Sequence, residues 1–135
     1  MRHYTLGIAA LLTLSCSDSK TNPEVPSLEG AWELQSLQVA SGPAQNVEPG
    51  AYTAEFTADA RVASRADCNR CSGSYSSAGT GLEIGTLACT RAYCGEESLF
   101  DAYVAALGSA ASFERSGASL WIRHPGGILR FIAKP

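Results

Sequence analysis

Apolar residues in this chain recur at every second position over most of its length, the signature of half-buried strands. Leu28, Gly30, Trp32 and Leu34 fall on one face of a first extended segment. Residues 43–50 read as a loop by composition. Tyr52, Ala54 and Phe56 then alternate with Thr53 and Glu55 in a second strand. Asp59-Ala60 marks a turn, after which 61–65 returns as a third strand. Segments 72–77 and 82–87 flank Gly79-Thr80-Gly81, whose glycines supply the positive φ angles of a hairpin connection. Three further strands, 112–115, 119–123 and 128–132, turn at Gly117 and at Pro125-Gly126-Gly127. Leu120 and Ile122 share a face, and Leu129 and Phe131 lie opposite Ile128, Arg130 and Ile132.

One segment has a different period. Leu99, Phe100, Tyr103, Val104 and Leu107 lie on one face of a helix with Asp101 opposite, Glu96 and Glu97 in its first turn and Gly108 as its stop. The expected fold is therefore mainly β with one helix: a closed or nearly closed antiparallel β-barrel of about eight strands with the α-helix packed against it, because closure removes the edges that short strands otherwise leave open.

The first 15 residues do not fit this pattern. A basic start, Met1-Arg2-His3, precedes a nine-residue apolar run, 6–14, too short to span a bilayer. Small and polar residues follow, as in an export signal. Cys16 at the break resembles a bacterial lipoprotein cleavage site, with Thr13 and Leu14 departing from the usual residues. On that reading 1–15 is a signal peptide, Cys16 the lipid-anchor residue, 16–27 a flexible tether and 28–135 the domain. Cleavage after Ser17, which discards Cys16, is the other reading, and both export the protein. Ser17 behind the anchor cysteine points to the outer membrane by the enteric sorting rule, with the domain facing the periplasm.

The net charge of the chain is −3, and loss of Arg2 makes it −4. This mild acidity, with no Lys/Arg cluster in the sequence, argues against nucleic acid or anionic lipid as a partner.

Four cysteines form two close pairs, Cys68/Cys71 and Cys89/Cys94. The spacing is near that of a zinc ribbon, but the second knuckle is two residues too wide. In an exported chain, disulfides are the commoner use. A hairpin centred on Thr80 pairs residues whose numbers sum to about 160, which sets Cys71 opposite Cys89 and leaves Cys68 and Cys94 just beyond. The nested pattern Cys71–Cys89 with Cys68–Cys94 is therefore preferred to the crossed one. Local pairs within Cys68–Cys71 and Cys89–Cys94 would demand tight loops where strands begin and end, and no metal is expected.

These residues also carry a family likeness. Leu28-x-Gly30-x-Trp32-x-Leu34, Phe56, Asp67-Cys68-Asn69, Gly73-Ser74-Tyr75, Leu82-x-Ile84-Gly85, Thr90 before Cys94, Glu97 with Phe100, and Leu129-x-Phe131 together resemble the META domain of HslJ-like bacterial envelope proteins. The resemblance covers residues 28–133, with Asp67 where the family usually has glycine. It implies a small, often lipid-anchored protein associated with stress, drug tolerance or secretion, a cracked barrel carrying a helix, and a bond between Cys68 and Cys94. It brings no catalytic residues.

No reaction emerges from the residues themselves. His124 is the only histidine beyond the signal segment, and it adjoins a turn with no nucleophile motif nearby. Glu96, Glu97 and Asp101 read as a solvated face. Period-two alternation points Trp121 away from Leu120 and Ile122, making Trp121, Arg123 and His124 a candidate contact surface. The expectation is a non-enzymatic envelope lipoprotein, without cofactor, that acts by binding an envelope protein or in a structural or stress-protective role. The alternative is a carrier holding a lipid or other apolar molecule in a barrel lined by Trp32, Phe56 and Leu120.

Overall fold

The computed structural model describes residues 25–135. The signal segment, Cys16 and most of the tether lie outside the described residues. Ten strands and one helix follow in chain order: β1 (Gly30–Leu37), β2 (Gln45–Asn46), β3 (Tyr52–Phe56), β4 (Arg61–Ala66), β5 (Asn69–Ala78), β6 (Gly81–Ile84), β7 (Ala88–Cys89), α1 (Phe100–Gly108), β8 (Ser112–Ser116), β9 (Ser119–His124) and β10 (Gly127–Ala133). All pairings are antiparallel. The order β10-β9-β8-β6-β5-β4-β3-β1 closes on itself because β1 also pairs with β10, giving an eight-stranded barrel. The two-residue strands β2 and β7 add to its rim, so part of the 43–50 loop is paired, Leu37 facing Gln45.

The crack lies between β6 and β8, which share the single pair Gly81↔Ser112. Two further backbone bonds, Leu82 N–H to Ala111 C=O at 3.0 Å and Phe113 N–H to Thr80 C=O at 2.8 Å, complete that seam.

Closure fixes which residues face inward. Trp32, Leu34, Tyr52, Ala54, Phe56, Val62, Leu120, Ile122, Leu129 and Phe131 are all buried, as the alternation predicts. Trp32 and Phe56 are each 1% exposed and Leu120 is 0%, so side chains fill the interior around them. At the end where the chain enters, the Trp32 indole donates to the Leu28 carbonyl (3.0 Å), and the Arg115 guanidinium lies 4.9 Å from its ring centroid. That stacking covers the aromatic face with a cation.

The helix packs against β4, β6 and β9 at the other end, burying Tyr103, Ala106 and Leu107. It begins later than its acidic residues suggest. Glu96 and Glu97 form a turn ahead of it, and Asp101 is the acid of the first turn. Gly95 at φ +104° sends the chain off the helical path, and the Leu99 N–H donates to the Tyr52 hydroxyl (2.9 Å), which fixes the start.

Tyr103 anchors the helix by a polar contact inside the core. Its hydroxyl donates to the Thr53 carbonyl (2.9 Å) and lies 3.1 Å from Ser64 Oγ, which donates to the same carbonyl (2.6 Å). Burial holds the Tyr103 phenol well above its ordinary 10.0. An unfolded tyrosine loses its proton near that value and the folded one does not, so above about pH 10 the unfolded chain binds fewer protons and stability falls as pH rises. Tyr103→Phe should cost about 1–2 kcal/mol at neutral pH by chemical denaturation. The same variant should lose less stability per pH unit above 10.0 than the parent. A residual slope should persist from Tyr52 and Tyr75, whose pKa values burial also raises.

Candidate functional site

Between β7 and α1 the chain runs through Thr90 to Leu99 without regular structure, yet it is held at many points. The hairpin β5–β6 keeps a constant register from Ala78↔Gly81 to Tyr75↔Ile84. One extra residue then enters on the second strand, and the register resumes at Ser72↔Ala88 and Cys71↔Cys89. This bulge sets the two cysteines face to face, their Cα atoms 4.1 Å apart in a disulfide. It also needs room beside Gly73, where a Cβ would sit 3.0 Å from the Thr86 carbonyl oxygen. The second disulfide, Cys68–Cys94, closes the far end of the loop with Cα atoms 5.6 Å apart. The nested pairing expected from the register is the one observed.

Asn69, 1% exposed, ties the loop from beneath. Its Nδ2 donates to the Ala92 carbonyl (3.0 Å), while its Oδ1 accepts from the Ala92 N–H (2.8 Å) and from Thr90 Oγ1 (2.9 Å). Thr90 in turn exchanges bonds with Arg70: its Oγ1 accepts from the Arg70 N–H and its own N–H donates to the Arg70 carbonyl, both at 3.0 Å. In effect, one buried amide supplies the backbone pairing that a strand would otherwise give.

The result is an irregular segment with a defined shape. It presents Tyr93, 81% exposed, between Arg91 and the bridge. Behind it runs an open groove of about 570 Å³ lined by Arg91, Tyr93, Glu96, Ser98, Phe100 and Asp101. A large aromatic displayed on a pre-ordered loop gives contact area with little ordering cost. Sequence reading passed over Tyr93; its place directly before Cys94, in a stretch with no period, was the available signal.

The residues singled out beforehand are only partly brought together. Trp121 and Arg123 share the outer face of β9, where Arg123 pairs with Glu114 across to β8 (3.6 Å). Trp121 is half-buried, and Ile132 of β10, 43% exposed, adds to that face. His124 does not join them, because strand alternation turns it the other way. Its Nδ1 accepts from the Gly126 N–H (3.2 Å), which leaves the proton on Nε2 to donate to the Gln38 carbonyl (2.7 Å). Both ring nitrogens are thus used in holding the turn. The carboxylates Glu96, Glu97 and Asp101 are exposed, as a solvated face requires.

Replacing Asn69 by Ala should cost about 2–3 kcal/mol. It should also raise amide hydrogen exchange at Thr90 and Ala92 far more than in β9, as measured on the oxidised protein by NMR. Equal protection in both regions would mean that the bridges alone hold the loop.

A family model described as the META domain matches residues 26–135. None of the curated proteins matches the chain. Among solved structures, a protein from Burkholderia xenovorans determined by NMR is similar at 27% identity and a TM-score of 0.66, over 78% of this chain and 82% of its own. A second NMR structure, at 18% identity and TM-score 0.59, covers 78% and 89%. The crystal structure of a DUF4847 family protein from Bacteroides vulgatus, at 13% identity and TM-score 0.56, covers 78% and 93%. These last two share the fold alone.

Proposed function

The chain belongs to the META domain family, and from that premise we propose that it is a non-enzymatic envelope lipoprotein that acts by binding a protein partner through the bridged loop carrying Tyr93. The observation that carries this reading is a largely exposed aromatic on a segment that two disulfides and a buried asparagine hold in shape. Exposed aromatics with neighbouring arginine are the residue types that dominate binding energy at protein interfaces. Both bridges suit an oxidising compartment. The leader pattern ahead of Cys16 supports anchoring in the cell envelope, on the outer membrane facing the periplasm. A structural or stress-protective role would be exercised through the same surface.

The packed interior also favours this reading over the carrier alternative. Trp32, Phe56 and Leu120, the residues that would line an internal ligand site, are covered by neighbouring side chains. The engaged ring of His124 supports a non-catalytic reading in the same way.

The test is photo-crosslinking in the native cells, with a photoreactive amino acid at position 93 or, as control, at the exposed Ser76 of β5. A discrete protein adduct is expected at 93 alone, and it should weaken when Arg91 is also replaced by Ala. Absence of an adduct at 93, or the same adduct from position 76, would remove the loop as the binding site. Separately, Cys16→Ser should move the chain from the membrane fraction to the soluble envelope fraction. Unchanged membrane association would exclude the anchor.

A further inference from the structure

The outer face of β3, β4 and β5 gathers positive charge that the sequence scatters over 70 positions, from Arg65 to Lys134. The β4–β5 hairpin turns through Asp67 and Cys68, so Ala66 faces Asn69 and Arg65 faces Arg70 directly. The backbone amides of these two arginines bond away from each other. Arg65 N–H donates to Thr53 Oγ1 (3.2 Å) on one side, and Arg70 N–H to Thr90 Oγ1 (3.0 Å) on the other. Arg65↔Arg70 is therefore a non-hydrogen-bonded pair, the arrangement that brings opposed side chains closest.

Like charges directly opposite across a ladder destabilise it. Neither guanidinium is in an ion pair among the described residues, where the pair present is Arg123–Glu114. Arg65 Nε donates to the Asp67 carbonyl (3.0 Å), which restricts the plane of that guanidinium. The Asp67 carboxylate lies toward the Tyr52 hydroxyl instead (3.4 Å). Lys134 reaches the same groove, of about 380 Å³, in which Thr53 supplies a polar wall and Glu55 is the one carboxylate. Three cations thus surround one open concavity on a chain whose net charge is −3.

We propose that the groove formed by Arg65, Arg70 and Lys134 is a binding site for a phosphate-type oxyanion, carried either by a phospholipid headgroup or by a soluble phosphate compound. A planar carboxylate is satisfied by one guanidinium fork, whereas three donors from separate elements suit a tetrahedral group with several charged oxygens. The anion relieves the Arg65–Arg70 repulsion, so the site is built at some expense to the unliganded protein. Its openness lets the group arrive attached to a larger molecule.

The test uses the oxidised full chain. Inorganic phosphate is titrated against chloride at matched ionic strength and followed by amide NMR shifts. Co-sedimentation is then measured with vesicles of phosphatidylcholine, with and without phosphatidylglycerol. Saturable shifts centred on Arg65, Arg70 and Lys134 are expected with phosphate, and Arg70→Gln should weaken binding at least about tenfold, the loss expected for one charge-assisted contact. Lys134→Gln, reached from a different element, should weaken it as well, while Arg130→Gln on β10 removes the same charge and should not. Binding to phosphatidylglycerol vesicles without binding of free phosphate assigns the group to a lipid headgroup; the reverse assigns it to a soluble compound. Shifts that follow ionic strength alone with no gain in vesicle binding when phosphatidylglycerol is added, or equal effects of Arg70→Gln and Arg130→Gln, overturn the proposal. An independent readout needs no ligand: Arg70→Gln should raise Tm at low salt, with a gain that shrinks as salt is added. A lower Tm would show that the opposed pair is not repulsive.

Discussion

Strand β1 carries the architecture because it is paired on both sides. Trp32 faces Ala54 of β3 in one direction and Ala133 of β10 in the other. Without the second pairing the sheet would be an open strip with two edges and a half-exposed apolar face. With it, every strand acquires an inside and an outside, and alternation then places the side chains without further instruction. The β6–β8 seam, paired at Gly81↔Ser112, is the weakest part of the wall, and α1 packs against β6 beside it. Two cheap polar devices hold the helix in place, the Tyr103 hydroxyl on Thr53 and the Tyr52 hydroxyl on the Leu99 amide. Both come from β3 or reach it, so the helix is registered against the strand that β1 holds.

A filled small barrel leaves little for its interior to do. The inward residues are spent on packing, as the near-zero exposure of Trp32, Leu34, Leu107, Ile122 and Leu129 indicates. What distinguishes this chain chemically must then sit on the outside, in segments that depart from the alternating rule. Among the described residues the longest such segment is the loop after β7. It makes few backbone pairings of its own, so its order comes from covalent bonds and from one buried amide. Each bridge closes a loop whose entropy in the unfolded chain is worth about 3 kcal/mol, and Asn69 directs where the loop lies once it is closed.

The strands were legible in the sequence because alternation is a local signal, repeated in each of them. Register was legible for the same reason: counting outward from Thr80 brought Cys71 to Cys89. Yet the hairpin itself pairs residues summing to 159, Ala78 with Gly81, and only a bulge restores the sum of 160 at the cysteines. Counting alone could not see that compensation. The helix start was misread because Glu96 and Glu97 look like a first turn, whereas the deciding contact, Leu99 to Tyr52, spans 47 residues. His124 was grouped with Trp121 by adjacency in sequence, although strand alternation already sends neighbours to opposite faces. The Asn69 network and the Arg65, Arg70, Lys134 groove depend on contacts between distant segments, which no periodicity reports.

Two outer features that look separate share a backbone. Arg70 supplies one guanidinium of the basic groove, and its main chain exchanges both of its hydrogen bonds with Thr90, the first residue of the bridged loop. Thr90 is fastened in turn to Asn69, and Asn69 to Ala92 next to Tyr93. Arg70 is therefore joined to the base of the Tyr93 loop through Thr90, Asn69 and Ala92, each bonded to the next. Loosening Asn69 should thus disturb both surfaces, whereas removing the Arg70 charge should leave the loop in place, because the backbone bonds that hold it do not involve the guanidinium. The same wiring explains why a protein can tolerate two opposed arginines at the end of a tight hairpin: the bridge at Cys68, the ladder at Ala66↔Asn69 and the Thr90 bonds resist a repulsion that an unbraced hairpin would relieve by splaying.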